Sequence, residues 1–257
     1  MEFPLYGTPL SRRRFVGQSI AAAVVLGCGG AGSEPPVGNP RLSTLPHQPA
    51  NTLAPGDYTL GLDTPRDARL HVPPGYDPAH PAPLVLGFHG AGAQGYDWNH
   101  TVQPATDAIG AVLLAPDSRG ATWDGITGTI GVDVAFIDRA LAWLYDRVNI
   151  DTTRMAIGGF ADGATYALGL GLANGDMFHA IIAMSPGFLM SIAHNGLPRI
   201  FIAHGTSDTV LPIATTSRRI VPQLQNAGYN VTYHEFDGGN VIDAAQRDAA
   251  FAWMAAG

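Results

Sequence analysis

Gly159-Phe160-Ala161-Asp162-Gly163 sets two glycines symmetrically about a central residue, after the apolar run Met155-Ala156-Ile157 and before a helix-compatible stretch. This is the frame of the G-x-S-x-G turn, in which a sharp strand-to-helix corner projects one nucleophilic side chain. Its centre here is Ala161, and a methyl group has no lone pair with which to attack a carbonyl or accept from a base. Two other readings stand beside this one: an ordinary glycine-flanked corner, and a carboxylate nucleophile at Asp162, one residue past the apex.

Three further segments supply what such chemistry needs around a nucleophile. Leu84-Val85-Leu86-Gly87-Phe88-His89-Gly90-Ala91-Gly92 is a buried strand running into a small-residue turn whose backbone N–H groups can face a developing oxyanion. Ile200-Phe201-Ile202-Ala203-His204-Gly205-Thr206-Ser207-Asp208 ends in a loop carboxylate able to orient an imidazole and stabilise its charged form; the alternative is that Asp208 caps its own turn. Phe236-Asp237-Gly238-Gly239-Asn240 lies where the general base should follow, but a carboxamide takes up no proton near neutral pH. His234 belongs to the preceding strand and reads as a packed or surface residue, with a relocated base, acting with Asp162, as the competing reading. His204 and His89 read as organisers of their own turns.

Short apolar runs alternate with amphipathic stretches from residue 58 onward, which predicts a mostly parallel sheet with helices on both faces. Strands are expected at 58–62, 68–72, 84–89, 111–115, 154–158, 180–185, 199–204 and 231–236, the first two as an antiparallel hairpin turning near Pro65. Helices are expected at 132–148, 161–172, 214–227 and 243–254; in the first, Phe136, Ile137, Ala140, Leu141, Leu144 and Val148 recur at helical spacing. Each candidate residue falls at the carboxyl end of a strand or in the loop after it, where open α/β sheets place their sites.

The chain has 257 residues, 46% of them hydrophobic and 14% charged, enough for one α/β domain with a sizeable core. A net charge of −7 without a basic stripe excludes a nucleic-acid footprint. All 14 basic residues are arginine, so no lysine is available as amine nucleophile or base. No segment has metal-ligand spacing or a nucleotide fingerprint, so neither metal nor cofactor is expected. Residues 1–28 read as an export leader: Ser11-Arg12-Arg13-Arg14-Phe15-Val16 resembles the twin-arginine signature, and Val25-Leu26-Gly27-Cys28 resembles the lipobox of bacterial lipoproteins. Cys28 is the only cysteine, and its place at the leader's end favours lipidation over an inert thiol. Cleavage there would take the net charge from −7 to −9, so membrane attachment would rest on acyl chains and not on charge. Residues 29–56 read as a disordered tether and 57–257 as the folded domain.

Together with Leu113-Leu114-Ala115-Pro116-Asp117-Ser118-Arg119-Gly120-Ala121-Thr122-Trp123-Asp124 and Asp133-Val134-Ala135-Phe136-Ile137-Asp138, these segments resemble the phospholipase/carboxylesterase group of α/β-hydrolases. Within it they are close to the polyhydroxybutyrate-depolymerase and feruloyl-esterase-like branches. The resemblance spans residues 57–257. It implies the α/β-hydrolase fold with an eight-stranded sheet and acyl transfer from esters through a Ser-Asp-His triad. By that resemblance the nucleophile position is Ala161, the acid Asp208 and the base position Asn240. The oxyanion donors would be the backbone N–H groups of Ala91 and Asp162, and Trp123 and Arg119 would line the acyl or leaving-group side. The group's pattern is Gly-Phe-Ser-Asp-Gly-Ala and Phe-Asp-Gly-Gly-His, so this chain departs from it at the two reacting side chains alone. In subtilisin, loss of the serine or the histidine lowers turnover by about 10⁶, and loss of both costs little more. The implied function is an ester-hydrolase scaffold without turnover, acting on a small-molecule or polymeric ester at the cell envelope. The alternative is a natural binder of an ester, lipid or aromatic acid.

Overall fold

The computed structural model describes residues 38–257. The leader and Cys28 lie outside the described residues, as does the first part of the expected tether. Eight strands form one sheet: β1 (Gly56–Thr59), β2 (Ala68–Val72), β3 (Ala82–Phe88), β4 (Val112–Pro116), β5 (Ile150–Phe160), β6 (Ala180–Met184), β7 (Arg199–Gly205) and β8 (Val231–Phe236). Their spatial order is β1-β2-β4-β3-β5-β6-β7-β8. β1 pairs antiparallel with β2, and β2 antiparallel with β4, whereas the pairs from β4/β3 to β7/β8 are parallel. The expected hairpin and mostly parallel sheet are thus present.

Burial on both faces explains why the central strands read as unbroken apolar runs. Along β3, Leu84, Leu86 and Phe88 point into one core and Val85 into the other. The first core is covered by α3 (Val132–Tyr145), α4 (Asp162–Ala173) and α5 (Ser217–Asn226). The second is covered by α1 (Gly95–Ala108) and α6 (Ala244–Ala255); α2 (Asp124–Thr127) is a single turn in the loop after β4.

Several boundaries differ from the sequence expectation. β5 begins at Ile150 because its first residues continue the ladder beside Ala82. α3 ends at Tyr145 and α5 starts only at Ser217. α1 has no counterpart among the expected helices: Pro104 interrupts its sequence signal, yet Trp98, Val102 and Ala105 recur on one buried face. Residues 38–44, expected as disordered tether, are instead fastened to the domain. Leu42 is buried, and the Asn174 carboxamide accepts from Leu42 N–H and donates to Pro40 O. Asp138 accepts from the backbone N–H groups of Ser43 and Thr44, and Arg41 pairs with Asp176 at 2.7 Å. One apolar side chain and a set of side-chain acceptors thus replace the hydrophobic surface the segment lacks.

Candidate active site

The corner between β5 and α4 places Ala161 at φ +51° and ψ −114°, one of two non-glycine residues at positive φ among those described. Ala161 N–H donates to Met184 O and Ala161 O accepts from Thr165 N–H, so the apex is held from β6 and from α4. The flanking glycines are required by contact. A Cβ at Gly163 would overlap the carbonyl oxygens of Phe88 and His89, and one at Gly159 would overlap the Gly163 carbonyl. The same close approach sets the end of β3 beside the apex: a Cβ built on Gly90 would lie 3.8 Å from Ala161 Cβ. As the first residue of α4, Asp162 has an N–H without an intrahelical acceptor. The backbone N–H of Ala91 has no acceptor among the described residues.

The acid and base loops meet because β7 and β8 are parallel neighbours, with Gly205 opposite Phe236. Ser207 N–H donates to Gly238 O and Thr206 N–H to Phe236 O, which ties the two loops together. Asp208 is buried; its Oδ1 accepts from the backbone N–H groups of Val210 and Leu211 at 2.9 and 2.7 Å. Its Oδ2 accepts from Asn240 Nδ2 at 2.7 Å. Asn240 therefore makes, with a carboxamide N–H, the contact that an imidazole Nδ1–H would make from the same backbone position. Ala161 and Asn240 line one cavity of about 570 Å³, together with Gly90, Ala91 and Asp162. Its remaining walls are mostly apolar, from Trp98, Phe160, Leu211 and Ile242 among others.

Known proteins share both the pattern and the shape. The profile of the family described as Phospholipase/Carboxylesterase matches residues 123–244. Feruloyl esterase C of Emericella nidulans is 30% identical over 156 residues, which cover 58% of this chain and 57% of that protein. The bifunctional acetylxylan esterase/xylanase XynS20E of Neocallimastix patriciarum is 31% identical over 163 residues, 60% of this chain and 23% of that protein. A fluorophosphonate-binding serine hydrolase of Staphylococcus aureus superposes with a TM-score of 0.63 at 12% identity, over 79% of this chain and 99% of its own. The chain has the α/β-hydrolase fold, and within it resembles the phospholipase/carboxylesterase group. It spans a little over half the length of the feruloyl esterases it matches.

Within this α/β-hydrolase, two residues expected beside the substrate lie elsewhere. Trp123 is fully buried, stacked on Tyr166 at 4.9 Å, and its Nε1–H donates to His89 O at 2.9 Å. It supports the strand end leading into the Gly90 turn from behind. Arg119 is drawn away from the cavity: it donates to Asp63 Oδ2, Arg66 O and Asp117 O, and its guanidinium lies 3.6 Å from the centre of the Phe136 ring. Burial holds its pKa below the ordinary arginine value, against the pull of Asp63.

The histidines divide as well. His89 Nδ1 lies 2.7 Å from Gly90 O and its Nε2 accepts from Ser118 N–H at 3.0 Å, so the Nδ1–H tautomer bridges two turns. Burial lowers its pKa, which keeps this bridge neutral. His234 Nδ1 lies 2.8 Å from Gln246 Oε1 and its ring packs edge-on against Phe201, on the α6 side of the sheet and away from the cavity lining. Asp162 accepts from Thr122 Oγ1 at 2.6 Å. Asp162 and His234 are therefore not brought together as a nucleophile and base. Sequence reasoning did not single out Thr122, Trp98 or Leu211, because nothing in their local spacing marks them.

Proposed function

We propose that this chain is the scaffold of a carboxylic-ester hydrolase in which Ala161 and Asn240 stand at the nucleophile and base positions, Asp208 at the acid position, and the N–H groups of Ala91 and Asp162 at the oxyanion hole. The observation that carries the reading is the 2.7 Å bond from Asn240 to Asp208, in a cavity that also contains the strained apex at Ala161. A triad needs that acid–base contact and that apex; with both frames present and both reacting groups absent, the cavity binds an ester or its acid without turning it over. Among the described residues, Asp97 and Asp162 are the only charged side chains lining it, so neutral esters are favoured over free acids. Relatives named for feruloyl and acetylxylan esters support an acyl or aryl ester of small size as the ligand. The expected leader and Cys28 extend the proposal to an exported, lipid-anchored protein.

The test is Ala161→Ser combined with Asn240→His, assayed on a panel of short-chain aryl esters. Hydrolysis is expected from the double variant, and neither single variant should rise above background, because each lacks one of two interdependent groups. A folded double variant that is inert across the panel refutes the proposal. A second reading, a natural binding protein, is favoured by the intact cavity of the unmodified chain. Saturable binding of an aromatic acid or its ester by that chain, at concentrations well below millimolar, would select it.

A further inference from the structure

The mechanism proposed above leaves the fully buried imidazole of His204 unused. His204, at the end of β7, has no solvent exposure and touches three elements of the acid loop. Its Nε2 is 2.8 Å from Leu211 O and 3.1 Å from Asp208 Oδ2. Its Nδ1 is 2.7 Å from Oγ of Ser217, the first residue of α5. Leu211 is in turn held through both of its backbone polar groups: its N–H donates to Asp208 Oδ1 and its carbonyl faces His204.

These contacts fix the proton. Nε2 faces only acceptors, a carbonyl and a carboxylate, so it must carry the hydrogen; Nδ1 is then a bare lone pair that accepts from the Ser217 hydroxyl. The N–H aims at Leu211 O, and the Asp208 carboxylate lies off its axis within electrostatic reach. Burial keeps the ring neutral by lowering its pKa, against the opposing pull of Asp208 and of Glu235, the other carboxylate acting on it.

We propose that His204 is a positioning residue for the acid: locked by Ser217 into its neutral Nε2–H form, it holds the Leu211 peptide and thereby sets the Asp208 carboxylate toward residue 240. Neutrality is the useful property. A cation in this place would cancel the charge that Asp208 must offer an imidazolium at position 240, whereas a neutral N–H fixes the geometry and leaves the negative charge available. The inference rests on reading Asp208 as the acid.

Two measurements test it. In the unmodified chain, ¹⁵N-resolved histidine spectra should show His204 as the Nε2–H tautomer, predominantly neutral at pH 6.5, the ordinary histidine value, and its Nε2–H signal should move on Asp208→Asn. An Nδ1–H tautomer, a charged ring at that pH, or a signal indifferent to Asp208→Asn overturns the proposal. In the chain carrying Ala161→Ser and Asn240→His, His204→Phe should lower kcat roughly 10- to 100-fold, the equivalent of one hydrogen bond in a charged network, with KM within about twofold. His204→Gln, which still presents an N–H, should recover most of that loss. Equal rates for Phe, Gln and His, or equal losses for Phe and Gln in folded proteins, also overturn it. If the doubly substituted chain is itself inert, the ester-hydrolase reading fails, and the spectra of the unmodified chain decide the His204 contact alone.

Discussion

Ala161 occupies a backbone conformation that L-residues avoid, and it does so without the side chain for which such corners exist in hydrolases. The strain is sustained by Gly163 and Gly159, whose missing side chains let β5, α4 and the end of β3 come into backbone contact. Gly163→Ala is therefore expected to destabilise the fold by about 3 kcal/mol or more, because the new methyl meets two backbone carbonyls that cannot swing aside. Urea denaturation reads this directly, and a change below about 1 kcal/mol would show that the corner is looser than its contacts imply. Ala161→Ser, in contrast, adds one hydroxyl facing the cavity and should leave stability within about 0.5 kcal/mol, which makes the activity test at this position interpretable.

At the scale of elements, the parts of the candidate site are held by Trp123, which does not line the cavity, and by His89, which does. Trp123 joins the loop after β4 to the end of β3 through its bond to His89 O, and His89 joins Gly90 to Ser118. Trp123→Phe should preserve the stacking on Tyr166 but leave the His89 carbonyl without its donor, at a cost of about 1–3 kcal/mol. A melt superimposable on that of the parent would mean that the carbonyl finds another partner. Sequence spacing marked the Gly90 turn and the apex well, since strand-to-corner patterns are local. The family resemblance implied that Trp123 and Arg119 line the acyl or leaving-group side; which way each points depends on packing against Tyr166 and Phe136, which local spacing does not encode. The helix α1 escaped notice for a related reason. Its buried face is short and interrupted by Pro104, and it is stabilised by the sheet and α6 more than by its own propensity.

For the molecule as a whole, acidity should be the informative variable. Burial lowers the pKa of His89, His194 and His204 below the ordinary histidine value of 6.5. The unfolded chain therefore binds more protons as the pH falls past about 6.5, and stability present above that value is lost as the pH moves down through the folded-state values. Glu235 behaves differently: its pairing with Arg218 holds it at about 2, so its contribution is full above about 4.5 and is lost as the pH falls from there toward 2. Urea midpoints should drop between pH 7.5 and pH 5, with the buried His89 and His204 carrying most of the change and the exposed His194 little of it. Identical midpoints at the two values would contradict the burial of neutral rings. By itself the amino-acid sequence determined the order of the strands, most of the helices and the glycine frame around Ala161, because these reside in short-range periodicity and turn chemistry, and it is the source of the proposal that positions 161 and 240 lack their reacting groups. Only the tertiary structure decided that Asn240 reaches Asp208, that His204 and Ser217 stand behind that carboxylate, and that residues 38–44 lie against the domain. Each of those contacts joins segments whose approach is set by strand register and loop path, which no local spacing encodes.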